Sequence, residues 1–178
     1  MKKIQNKPFH NIFTINLKTL NFLDHTNLNL IPIKWKIILL NDGSFTQNLN
    51  SLTGKNIKLE VFHTLSNKIL NNKQFRTIWL KDYKSNKLAY AESLWLVKYN
   101  KKTILNNTMP VGRFFIQSKT EIHKDIHKIY YGYSKYLEKK FNIQGPMWGR
   151  KYTIYSYKKS IAHIQEFFSP YIINLFNI

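Results

Sequence analysis

The chain has 178 residues, 43% hydrophobic and 15% aromatic, with no cysteine and a formal net charge of +19. That length fits one domain with a sizeable core, the composition excludes global disorder, and the lack of cysteine excludes disulfides and thiolate metal sites. No apolar run reaches the ~18 residues of a membrane-spanning helix, and "MKKIQNKPFHNIF" has neither the apolar core of a signal peptide nor the Arg- and Ser-rich character of a transit peptide, so the protein is expected to work in the compartment where it is made.

In chain order, "SFTQ" (44–47) opens a helix, with Ser44 at the N-cap and Gln47 completing a capping box, and Gly54 closes it. "NIKLEVFHTL" reads as a strand. "QFRTIWLKD", the turn "YKSNK" and "LAYAESLWLVKY" read as a hairpin. "SKTEIHKDIHKIYY" places Ile122, Ile126 and Ile129 at helical spacing with charges between them, which predicts a helix. "SKYLEKKF" is a second short helix behind Ser134, and "GPMWGR" a turn-rich loop. "KYTIYSYK" and "IAHIQEFFSP" form a last hairpin around "KS". Without internal repeats or a long linker, residues 1–178 read as one α+β domain, an antiparallel sheet with helices packed on it.

The charge invites a nucleic-acid reading. Of the 28 basic residues, however, 25 are Lys, and they are scattered rather than striped along one element. Lys, Asn and Ile are the residues that an AT-rich genome over-supplies, so the charge reads mainly as compositional drift on solvated faces. Against that background the three Arg stand out. At Arg76, Arg113 and Arg150 a planar bidentate donor replaces the commoner Lys.

Two strands each carry one charge on an otherwise apolar face. Glu166 shares its face with Ile164 and Phe168, and Arg76 shares its face with Ile78 and Leu80. A charge there is costly unless paired, protonated or open to water. The two residues either pair with each other or stand at opposite ends of a cavity that binds a ligand with an anionic end and a hydroxyl end.

Five blocks stand in the order and approximate spacing of the chorismate pyruvate-lyase family, in its cyanobacterial and plastid-encoded branch: "NDGSFTQNL", "FRTIWL", "MPVGRFF", "GPMWGRKYTIY" and "IQEFFSPYI". The resemblance covers about residues 30–173. It implies conversion of chorismate to 4-hydroxybenzoate and pyruvate without metal or cofactor. It also implies flap segments closing over an internal ligand cavity in the sheet-and-helix fold. By motif position, Arg76 is similar to the arginine that binds the ligand's polar groups, and Glu166 to the carboxylate that meets the ring hydroxyl; both are the expected catalytic residues. Val111 and Phe45 fall where backbone N–H groups contact the ligand, Phe45 replacing the Met of the bacterial ubiquinone-pathway enzymes. Gly112 permits close backbone approach beside Val111. A plastid location is implied, or the cytoplasm of an AT-rich bacterium, with the small-molecule substrate as partner and neither nucleic acid nor membrane expected; oligomeric state stays open.

Loss of the enolpyruvyl ether and a ring proton aromatises the substrate, so the protein's task is orientation and help with one proton. A desolvated carboxylate at 166 suits that task, and a guanidinium binds a carboxylate through two parallel bonds. Chorismate has two carboxylates, so a second cation is expected; Arg150 either supplies it, fixes Glu166, or stacks on Trp148 at the surface. Arg113 is expected to cap or brace the flap. His123 and His127 are four apart, but Lys124 stands where a metalloprotease motif has Glu, and no third ligand is signalled. His163 faces away from Glu166 and reads as structural. Two other readings stay beside the lyase. One is a non-catalytic sensor of small aromatic acids, since this fold also serves as the effector-binding domain of bacterial transcription regulators, although the chain has no room for their winged-helix domain. The other is a basic RNA- or protein-binding module.

Overall fold

Strands β1 (His10–Asn16), β2 (Lys58–Ser66), β3 (Lys73–Lys81), β4 (Lys87–Leu96), β5 (His123–Tyr133), β6 (Met147–Ser156) and β7 (Lys159–Phe168) build one sheet in the order β1–β5–β6–β7–β4–β3–β2. Every neighbouring pair is antiparallel. Helices α1 (Ile33–Leu39), α2 (Phe45–Thr53) and α3 (Lys135–Phe141) and a 3-10 turn (Pro170–Leu175) complete the elements. The computed structural model describes residues 8–17, 28–66, 73–96, 112, 115, 117 and 119–176. No helix among them is long and apolar enough to cross a membrane.

The sheet buries both faces. On the front, α1 and α2 lay Trp35, Leu39, Phe45 and Leu49 against Leu80, Ala89, Trp148 and Phe168. On the back, Leu137 and Phe141 of α3 pack with Trp79, Tyr90 and Phe167. Burial of large apolar side chains at ~1.5–3 kcal/mol each dominates the stabilisation of both layers.

The expected β3–β4 hairpin forms, and its turn is held by Asp82, whose two carboxylate oxygens accept from the backbone and side-chain N–H groups of Asn86 at 2.8 Å each. Ser44 does stand at the N-cap of α2, and Gly54 ends the helix at φ 61°. The capping box itself is not made, because the Ser44 side chain makes no cap hydrogen bond. Helix α3 follows Ser134 as expected.

The helix expected across residues 118–131 is instead β5. Its pairing with β6 shifts register between Ile126 and Lys128. The extra residue, His127, puts Ile126 and Ile129 on one strand face although they are three apart. A bulged strand thus imitates the spacing of a helix. His123 and His127 lie on this strand and not on a helix, so their spacing of four does not stack them on one helical face. His127 and His163 both meet the Thr153 hydroxyl, at 2.6 and 2.9 Å.

"GPMWGR" is a loop only at its start. Gly145 turns at φ 111°, and Met147 already begins β6. Gly149 is there for close approach: a Cβ would lie 2.2 Å from the Tyr130 ring. The last hairpin turns at Tyr157 and Lys158, with φ 47° and 63°, two residues before the expected "KS". Adjacent positive-φ residues are the type I′ pattern, here without the Asn-Gly signal that marks it in a sequence. Strand β1 and helix α1 carried no clear sequence signal. In β1 only Ile15 is buried, and "IKWKIIL", with Lys34 and Lys36 among its apolar residues, is too short for periodicity to assign.

Candidate functional site

The front face of the sheet reads as two adjacent rows. In one, Arg150 of β6 stands opposite Glu166 of β7, then Ala91 of β4 and Ile78 of β3. In the next, Tyr152, Ile164, Ser93 and Arg76 follow across the same strands. β4 thus places two small side chains between Glu166 and Arg76. The space above them is a pocket of about 510 Å³. Its floor includes Arg76, Ala91, Ser93, Tyr152, Ile164 and Glu166. Residues 42–48, Gly112, Phe115, Thr120, Ile122 and Lys124 also line it.

Arg76 and Glu166 do not pair. They stand two strands apart, roughly 10 Å across the sheet, and both line the pocket. Glu166 is not at a strand edge either, since β7 lies between β6 and β4. Arg76 is 1% exposed, and none of its three guanidinium nitrogens has a hydrogen-bond partner among the described residues. Burial lowers its pKa, yet guanidinium keeps its proton in proteins. A buried cation that faces a pocket and has no partner among the described residues is chemically suited to an anion.

Glu166 is not the isolated acid that its neighbours in sequence suggest. Arg150 Nε donates to its Oε2 at 2.7 Å, and the Tyr152 hydroxyl donates to Oε1 at 2.9 Å. Burial, then the charge of Glu166, keeps the Tyr152 pKa well above its ordinary value, so the phenol remains a donor. Arg150 is fully buried. Its Nη1 donates to the carbonyls of Ile38, Leu39 and Asn41 at 2.8, 3.2 and 3.0 Å. These lie at the C-terminal end of α1, where free carbonyls favour a cation. Arg150 therefore fixes Glu166 rather than lying on the surface against Trp148, and it packs over the rings of Phe45, Tyr152 and Phe168.

Above the floor, Phe45 is the first residue of α2, so its N–H has no partner within the helix. Its ring is buried, 5.1 Å from that of Phe168. Gly112 approaches Ser44 so closely that a Cβ would lie 2.5 Å from the Ser44 hydroxyl. Val111 and Arg113, and most of the segment read as a flap, lie outside the described residues.

Lys124 escaped the sequence reading because the supposed helix put it among solvated charges. On β5 it reaches the pocket. Its Nζ donates to the carbonyl of Gly43 at 2.7 Å and lies 3.4 Å from that of Asn41. Burial, then repulsion from Arg150, lowers its pKa to about 8, partly offset by Glu166 and Asp42. Alternation of Ile122, Lys124 and Ile126 was the signal that could have revealed it.

The fold has counterparts among solved structures. It resembles the effector domain of PhnF from Mycobacterium smegmatis with a TM-score of 0.56 at 8% identity, covering 72% of this chain and 89% of that one. Intact PhnF gives 0.57 at 8% identity, over 74% of this chain and 65% of that one. Residues 39–176 match the family model described as chorismate pyruvate-lyase Rv2949c-like, and the chain belongs to that family. It is 42% identical to the "Uncharacterized protein ycf21" of Antithamnion sp., over 92% of both chains. It is 41% identical to ycf21 of Porphyra purpurea, over 81% of this chain and 85% of that one, and 34% identical to ycf21 of Cyanophora paradoxa, over 80% of each.

Proposed function

We propose that the protein eliminates pyruvate from chorismate to give 4-hydroxybenzoate, in the plastid setting that its ycf21 relatives suggest. The observation that carries this reading is the buried guanidinium of Arg76, without a partner among the described residues, facing a pocket whose far side holds a fixed carboxylate. Arg76 takes the ring carboxylate through two N–H···O bonds. Glu166 meets the hydroxyl at the opposite end of the ring, held by Arg150 and Tyr152. The Phe45 and Val111 N–H groups and the close approach at Gly112 complete the ligand contacts. In the reaction the C3–O bond breaks and C4 loses its proton. The ring becomes aromatic, and the departing enolate takes a proton to become pyruvate. Orientation of the leaving group and a carboxylate placed to receive charge or a proton are what such a step requires. Cofactor-independent chemistry is part of this proposal.

Incubating the purified protein with chorismate and following 4-hydroxybenzoate by absorbance tests it. Accumulation of equimolar 4-hydroxybenzoate and pyruvate is the expected result. Saturable binding of 4-hydroxybenzoate without turnover would favour a sensor instead, a reading supported by the likeness to the PhnF effector domain and by the ion pair that already satisfies Glu166. Neither turnover nor binding, with salt-sensitive RNA association, would favour a basic RNA-binding module.

A further inference from the structure

The pocket's charges set a requirement that Arg76 alone does not meet. Chorismate is a dianion, with one carboxylate on the ring and one on the enolpyruvyl group. Arg150 and Glu166 neutralise each other, and Arg150 does not line the pocket. Lys124 does line it. With Arg76, it brings the cations that face the pocket among the described residues to two, matching the two carboxylates.

We infer that Lys124 binds the enolpyruvyl carboxylate of the substrate and so distinguishes chorismate from 4-hydroxybenzoate, an inference that rests on the reading of the pocket as a chorismate site. Position supports it. β5 and β3 are four strand steps apart, on the order of 19 Å across the sheet, so Lys124 and Arg76 reach over one floor from opposite walls. Glu166 lies between them. With the ring carboxylate on Arg76 and the C4 hydroxyl at Glu166, the C3 substituent beside that hydroxyl falls on the Glu166 side, where Lys124 stands. The ammonium is aimed by the Gly43 and Asn41 carbonyls. An ammonium has three donors, and these two acceptors leave one for the ligand. The product has no second carboxylate, so it gains nothing from this residue.

Substituting Lys124→Met, with Lys124→Arg beside it, tests the inference through two separate readouts: KM for chorismate and Kd for 4-hydroxybenzoate. The expected result is a KM raised about 10- to 100-fold in Lys124→Met, the worth of a charge-assisted hydrogen bond. Kd for 4-hydroxybenzoate stays within about twofold, which also reports an intact fold, and Lys124→Arg recovers part of the loss. The wild-type KM rises above pH 8 as the ammonium deprotonates, and this rise is missing in Lys124→Arg. Equal weakening of both ligands would overturn the inference and make Lys124 a brace for the loop over the pocket. An unchanged KM would overturn it as well. If the wild type does not turn chorismate over, the lyase reading fails on its own, and calorimetric binding of chorismate against 4-hydroxybenzoate decides the role of Lys124. Selectivity for the dianion that vanishes in Lys124→Met supports it, and equal affinities in both proteins reject it.

Discussion

Arg150 and Glu166 face each other in register across β6 and β7, joined by a 2.7 Å bond from Nε to Oε2. The carboxylate on the apolar face is therefore held in place, and on the proposed function it also takes part in turnover. Glu166→Gln keeps an acceptor but leaves Arg150 buried without its counter-charge. Expected are a turnover loss of about 10²–10⁴ and a stability loss of about 3–5 kcal/mol. Chorismate assays and denaturant unfolding measure the two separately. A second variant, Arg150→Met with Glu166→Leu, is expected to regain most of the stability and none of the activity.

Arg76 presents the opposite case. Its guanidinium has no partner among the described residues, so among them its burial carries a cost that a bound anion would relieve. Arg76→Met is expected to raise stability by about 1–3 kcal/mol, the penalty of an unsatisfied buried polar group. It should also abolish measurable binding of 4-hydroxybenzoate. Arg76→Lys keeps the charge but loses the bidentate geometry, and its affinity falls by about 1.5–3 kcal/mol. Thermal unfolding with and without 4-hydroxybenzoate reads both effects.

The small side chains of β4 leave the pocket its room. Ala91→Leu places a larger apolar group between Ile78 and Glu166. Ligand binding should be lost while Tm holds or rises, because filling apolar space adds contacts without leaving a polar group unpaired. A fall in Tm of several degrees with ligand affinity intact would show that the space is too small to hold a ring.

Lys124 makes stability depend on pH in an uncommon direction. Its pKa is lowered to about 8 in the folded chain, against about 10.4 for a free lysine side chain. Between these values the unfolded chain binds more protons, so this contribution to stability rises with pH. Its cost is fully present below pH 8 and relieved as pH approaches 10. Lys124→Met lacks this step, so the Tm gap between variant and wild type should narrow from pH 7 to pH 10.

Gly112 and Ser44 test how the segment above the pocket is seated. Gly112→Ala puts a methyl within 2.5–2.8 Å of the Ser44 side chain, and ligand affinity is expected to fall more than overall stability. Adding Ser44→Gly removes the obstructing atoms and should restore affinity. A Gly112→Ala protein that binds as tightly as wild type would show that this contact does not shape the pocket.

The candidate site was more legible in the sequence than the elements that carry it. Arg76 and Glu166 were visible because each breaks the apolar alternation of an otherwise regular strand, a local signal that needs no knowledge of topology. Lys124 was hidden because the residue inserted at His127 gives β5 the isoleucine spacing of a helix. The support of Glu166 was legible only in part. Arg150 stood out as an arginine among lysines, but its carbonyl partners at Ile38, Leu39 and Asn41 follow from where α1 docks, which no local pattern states.

Those carbonyls have a consequence for how the protein matures during synthesis and folding. Arg150 joins segments 109 to 112 residues apart along the chain, among the costliest contacts to close before anything rewards them. A chain with its sheet formed but α1 undocked would have the pocket's floor without the brace that orients Glu166. Binding competence should therefore appear as a late kinetic phase, after most strand pairing, visible in stopped-flow refolding as recovery of 4-hydroxybenzoate binding that lags the far-ultraviolet signal.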